Sequence, residues 1–183
     1  DVAAVTGPRH TAPGEAEQWI DGLHFHRTQM PSPAPAPLGE WREIRSLARR
    51  LDEVIRSWRP DILHAHSPVM SALAALQAAR RHGLPLLYEI RAFWEDAAVG
   101  NGSGRAGAAR YRLTRFIETR AAHAVDAVAV ICEGLRDDLI ARGVAAEKIV
   151  VSPNGVDLTL FGAPAVRDEA LATELGLAGA ETI

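Results

Sequence analysis

The chain has 183 residues, 48% hydrophobic and 23% charged, with a formal net charge of -3. A chain of that length buries roughly 70% of its unfolded surface and suits one globular domain, and the slight acidity without a basic stripe speaks against nucleic acid as a main partner. The one cysteine, Cys132, excludes an internal disulfide framework and a cysteine-cluster metal site and fits a reducing cytoplasm; no apolar run approaches the ~20 residues of a membrane span. The chain opens on "DVAAVTGPRH" with neither Met nor a basic n-region, so a strand-like run at the first residue leads us to expect a fragment of something longer.

Strand-like and helix-like segments alternate. Asp1–Thr6 is a short apolar strand ended by Gly7-Pro8. A polar connection leads to Leu23–Thr28, which alternates with period two. The proline-rich run Met30–Gly39 reads as a surface loop. In Trp41–Trp58, Trp41, Ile44, Leu47, Ala48, Leu51, Val54, Ile55 and Trp58 recur at helical steps between charges, a stripe expected to pack into the core. The helix must stop before Pro60. A strand over "DILHA", an alanine-rich helix over Val69–Gly83 and the strand "LPLLYEI" follow. The glycine-rich run Gly100–Gly107 fits neither a phosphate loop nor a dinucleotide fingerprint and reads as a loop over the strand tips, with a helix after it. Strand Asp126–Ile131, helix Glu133–Gly143, strand Lys148–Pro153 and a short helix in "RDEALATELGL" complete the chain. Such alternation implies an α/β fold, a doubly wound and mostly parallel sheet.

In open α/β sheets ligands bind beyond the carboxyl ends of the strands, where His66, Arg91, Glu133 and Asn154 fall. His64 and His66 lie two apart on a strand and point to one side. Zinc accepts imidazoles at that spacing but needs a third ligand; the other histidines lie in unrelated segments, and a metal-free chain is expected. His64 reads as a packed neighbour and His66 as the residue that reaches a ligand. In "YEIRAFWED", Trp94 can stack on a sugar whose hydroxyls bond Glu95 and Asp96; the competing reading is a surface salt-bridge cluster with Arg91. Glu133 at a helix start is equally well a dipole-favoured acid. Cys132 has no partner base and is not read as a nucleophile. Pro153-Asn154-Gly155 reads as a tight turn.

Three stretches together resemble a known family: "RPDILHAHSP", "VDAVAVICEGLRDDLIARGVAAEKIVVSPNGVDLTLF", and "YEIRAFWEDAAV" with "RYRLTRFIETR". They are similar to the N-terminal domain of retaining family 4 glycosyltransferases of GT-B fold, the last pair to exopolysaccharide-associated members linked to exosortase systems. The resemblance implies residues 1–162 as an N-terminal Rossmann-like domain lacking its first strand, and 163–183 as a linker into an absent donor-binding domain. It implies transfer with retention from a nucleotide-sugar to a glycan or lipid-linked acceptor, at the cytoplasmic face of a membrane, with no metal or other cofactor. Of this chain's residues it points to His66, Arg91, Glu95 and Asp96 as catalytic, and to Ser67, Trp94, Glu133, Asn154 and Gly155 as substrate-binding. Arg91 stands where many members carry a histidine. A guanidinium cannot act as a general base, though it can bind an anionic acceptor or leaving group, so any base must come from Glu95, Asp96 or His66. The chain alone is expected to lack transferase activity. The alternative is a non-catalytic glycan- or nucleotide-binding module acting with a separate chain; an NAD-dependent enzyme is a third reading, disfavoured by the lack of a G-x-G-x-x-G run.

Overall fold

The computed structural model describes residues 1–10, 15–162 and 167–177. It divides into two compact units, Asp1–Pro153 and Asn154–Ile183. The first unit opens with β1 (Ala3–Thr6), β2 (Glu17–Ile20) and β3 (Leu23–Arg27). These form a small sheet in the order β1-β3-β2, with β1 parallel and β2 antiparallel to β3. β2 lies in the stretch read from sequence as a polar connection. All four of its residues are exposed, so it carries no buried face to read. Its signal is the Asp21-Gly22 pair, both at positive φ (49° and 80°), the hairpin geometry that Asp-Gly favours.

The helix α1 (Leu38–Trp58) follows the proline-rich loop and ends on Arg59, just ahead of Pro60. It buries Leu47, Ala48, Val54 and Ile55, but Trp41 and Trp58 at the ends of the expected stripe are 50% and 38% exposed. The Arg45 guanidinium lies 4.6 Å from the Trp41 ring centre, and both terminal rings remain partly exposed. Asp52 takes an unexpected buried place, paired with Arg81 and His82.

The second sheet is parallel throughout: β4 (Leu63–His66), β5 (Leu86–Ile90), β6 (Ala127–Val130) and β7 (Ile149–Val151), in chain order. Between them lie α2 (Val69–His82), α3 (Trp94–Gly100), α4 (Ala109–Ala124) and α5 (Glu133–Ala141). The fold is thus α/β, with a four-stranded parallel sheet interleaved with helices. The core gathers Leu86, Tyr88, Ile90, Val128, Val130 and Leu139 against the buried alanines of α2 and α4. The small side chains of Ala72, Ala74 and Ala78, each fully buried, let α2 approach both α1 and the sheet closely, where added methylenes have no room. α2 ends in Gly83 at φ 66°, the left-handed cap expected of glycine. No described helix is long and apolar enough to cross a membrane. The second unit carries α6 (Leu158–Phe161) and α7 (Glu169–Glu174), capped by the Asp157 and Asp168 carboxylates.

Candidate functional site

Strand β4 is an edge strand. Leu63 and Ala65 are buried, while His64 and His66 alternate to the other, exposed face. The parallel register sets His66 beside Glu89 of β5, and Glu89 binds the whole group together. Its Oε2 lies 3.0 Å from His64 Nε2 and 3.4 Å from His66 Nδ1, and its Oε1 lies 3.0 Å from Arg91 Nε. The imidazole rings sit 4.3 Å apart. Burial, and then the neighbouring His66, lower the His64 pKa below the ordinary imidazole value. Just beyond the strand ends, Ser67 N–H donates to the Glu89 carbonyl, and the Arg91 N–H donates to Ser67 Oγ at 3.4 Å. His66, Ser67 and Arg91 therefore converge at one point on the sheet edge. The residue that sequence reasoning missed is Glu89. It stands as a lone carboxylate inside the apolar run "LLYEI", and only the register of β5 against β4 sets it across from a histidine.

The segment after β5 behaves differently. Trp94, Glu95 and Asp96 occupy the first turn of α3 rather than an open loop. Glu95 turns inward: its side chain is fully buried and its Oε1 accepts from Arg142 at 2.9 Å. Arg142 lies over the Phe93 ring, 3.7 Å from its centre, and also binds Asp138. Close by, the Tyr88 hydroxyl donates to Glu118, whose side chain is likewise buried. Burial, with the Glu95 charge adding to it, pushes the Glu118 pKa up to about 7. Arg142 and Glu118 were also missed from the sequence. A helix arginine and a helix glutamate look like surface residues until the tertiary fold closes over them. Asp96 stays outside and accepts from the Tyr111 hydroxyl at 2.7 Å. Trp94, 50% exposed, lines a groove of about 390 Å³ with Asn101, Ser103, Arg105, Arg110 and Tyr111.

Glu133 is the first residue of α5, exposed, 3.5 Å from Arg136, and Cys132 before it is exposed. Asn154 and Gly155 open the second unit. Two groups of described residues bring histidine and carboxylate atoms within 4.8 Å of one another: His64, His66 and Glu89, and Glu17, His24 and His26.

The chain is 30% identical over 173 residues to a GDP-mannose-dependent alpha-mannosyltransferase of Mycolicibacterium smegmatis, covering 93% of this chain and 42% of the relative. It is 29% identical over 127 residues to the putative colanic acid biosynthesis glycosyl transferase WcaI of Escherichia coli, covering 67% of this chain and 31% of the relative. The chain thus spans less than half the length of these curated relatives. The fold matches that of Anabaena HepE, solved in complex with UDP and glucose, with a TM-score of 0.57 at 17% identity over 86% of this chain and 38% of that one. The described sheet accordingly resembles half of a GT-B fold. A glycosyl transferase 4-like domain model matches residues 1–155, and the chain belongs to that family.

Proposed function

We propose that this chain is the acceptor-side half of a retaining glycosyltransferase, which moves a sugar from a nucleotide-sugar to a glycan or lipid-linked acceptor in exopolysaccharide assembly. The observation that carries the reading is the convergence of His66, Ser67 and Arg91 at the carboxyl ends of β4 and β5, in a chain of this family. The polysaccharide assignment draws on the WcaI relative, named for colanic acid biosynthesis. The nucleotide-sugar donor draws on the relatives named as GDP-mannose-dependent.

Roles follow from placement. Arg91 carries a permanent charge, and its Nε is fixed by Glu89; it binds an anionic group of the acceptor or steadies a leaving phosphate. Ser67 orients an acceptor hydroxyl beside it. His66, whose side chain is 56% exposed, can take up the proton of an attacking hydroxyl. Asp96 and Trp94 at the start of α3 offer a carboxylate and a ring face to a sugar. Glu95 acts differently from its neighbours: locked to Arg142, it positions α3 rather than accepting protons. Glu133 lies past the end of β6 as a further acceptor contact, and Asn154 and Gly155 are further substrate-binding residues in this reading. The donor is held by protein outside this chain, so this chain alone turns nothing over. A lipid-linked acceptor would bring the enzyme to the inner face of the membrane.

The test is equilibrium dialysis and turnover assays of the purified chain with UDP-glucose and GDP-mannose. Neither binding nor transfer is expected. Sugar transfer by this chain alone contradicts its assignment as the acceptor half.

A further inference from the structure

We infer that His64, His66 and Glu89 form a three-ligand zinc site on the exposed face of the β4–β5 edge. A metal-free chain was expected because no third histidine was in reach. The third donor is instead a carboxylate on the adjacent strand. The two-residue spacing sends both imidazoles to one face, and the parallel register sets Glu89 against His66.

The geometry is close to what the ion demands. Zinc bonds of about 2.0–2.1 Å at tetrahedral angles place ligand atoms about 3.3 Å apart. His64 Nε2 and His66 Nδ1 lie 3.0 and 3.4 Å from the same oxygen, Glu89 Oε2, and all three atoms fall within 4.8 Å of one another. Small side-chain rotations admit the ion between them. The other carboxylate oxygen is held by Arg91 Nε at 3.0 Å, the kind of outer contact that aims a ligand at its metal. Two nitrogens and one oxygen suit zinc better than calcium or magnesium, which favour all-oxygen shells. On binding, each neutral imidazole presents an unprotonated nitrogen to the ion and carries its ring proton on the other nitrogen, and water takes the fourth position. The half-exposed histidines leave an entry path.

The second histidine-carboxylate group, Glu17 with His24 and His26, is built differently. Its histidines approach separate oxygens of Glu17, Arg50 shares one of those oxygens, and His24 is stacked on Trp19 at 4.6 Å. No single oxygen is shared by both rings there, and we assign it no metal.

The site shares His66 and Arg91 with the proposed acceptor edge, so zinc bound here would block proton uptake by His66; its test is separate from the transferase reading, because metal binding is measured without sugar or donor. Zinc chloride is titrated into the purified protein in competition with a chromophoric chelator, and cobalt(II) is added separately to read the visible bands of a tetrahedral complex. One zinc per chain is expected. His64→Ala and Glu89→Gln should each weaken binding at least ~10-fold, Arg91→Ala by about 10-fold through the carboxylate it aims, and His24→Ala should leave it unchanged. Glu89→Gln is nearly isosteric and keeps the test valid if His64→Ala fails to fold, which circular dichroism reports. No competition with the chelator, equal affinity in all variants, or loss in His24→Ala alone would each overturn the assignment.

Discussion

The two faces of β5 make opposite use of adjacent residues. Tyr88 points inward to Glu118, near the Glu95–Arg142 pair, where every side chain but Asp138 is sealed from water. Glu89, the next residue, points outward to His64, His66 and Arg91, all of them substantially exposed. Both groups are rich in carboxylates and cations, yet burial gives them different work. Inside, an unpaired charge has no water to fall back on, so the network holds α3 and α4 to the sheet. Outside, charge pairs contribute little to stability and remain available to a ligand.

The sharpest way to break this contrast is to remove Arg142. Arg142→Ala leaves Glu95 buried and uncompensated and should cost about 3–5 kcal/mol in urea unfolding. A loss below about 1 kcal/mol would mean that the inner network is not sealed. Next comes pH. Glu118 holds its proton more tightly in the folded protein, with its pKa raised from 4.5 to about 7. Its contribution is therefore fully present below about pH 4.5 and is lost as pH rises through 7, by on the order of 3 kcal/mol. Unfolding midpoints measured between pH 5 and 8 should fall with pH more steeply in the wild type than in Glu118→Gln, which cannot ionise. Tyr88→Phe removes the hydroxyl that Glu118 accepts from and should cost about 1–3 kcal/mol. The smallest effect is on the outer face. Glu89→Gln should change unfolding free energy by less than about 1 kcal/mol while altering ligand and metal binding there. Equal losses for Glu89→Gln and Arg142→Ala would erase the distinction between the faces.

The sequence made the parallel sheet legible because its strands are short apolar runs and its helices end on glycine or before proline, as at Gly83 and Pro60. The exposed strand β2 was not legible, since Glu17–Ile20 has no buried face and only Asp21-Gly22 announces the hairpin. Trp41 and Trp58 obey helical spacing, but spacing does not tell how much of each ring the fold covers. Ser67 is named by the family resemblance alone, whereas the strand-end positions of His66 and Arg91 could be read from the sequence together with those of Glu133 and Asn154. Glu89 could not, because its part depends on the register between two strands far apart in sequence. Glu95 and Asp96 are adjacent and chemically alike, and only the distant Arg142, just past the end of α5, draws one inward while the other stays in water.

In the proposed function, the acceptor binds at the outer edge of β4 and β5. The most direct test is to probe an array of bacterial polysaccharide fragments with the purified protein and with Arg91→Ala and Glu118→Gln. The wild type is expected to retain a defined set of glycans, Arg91→Ala to lose them, and Glu118→Gln to keep them. Glycan binding that survives Arg91→Ala undiminished, or that depends on Glu118 instead, would contradict it.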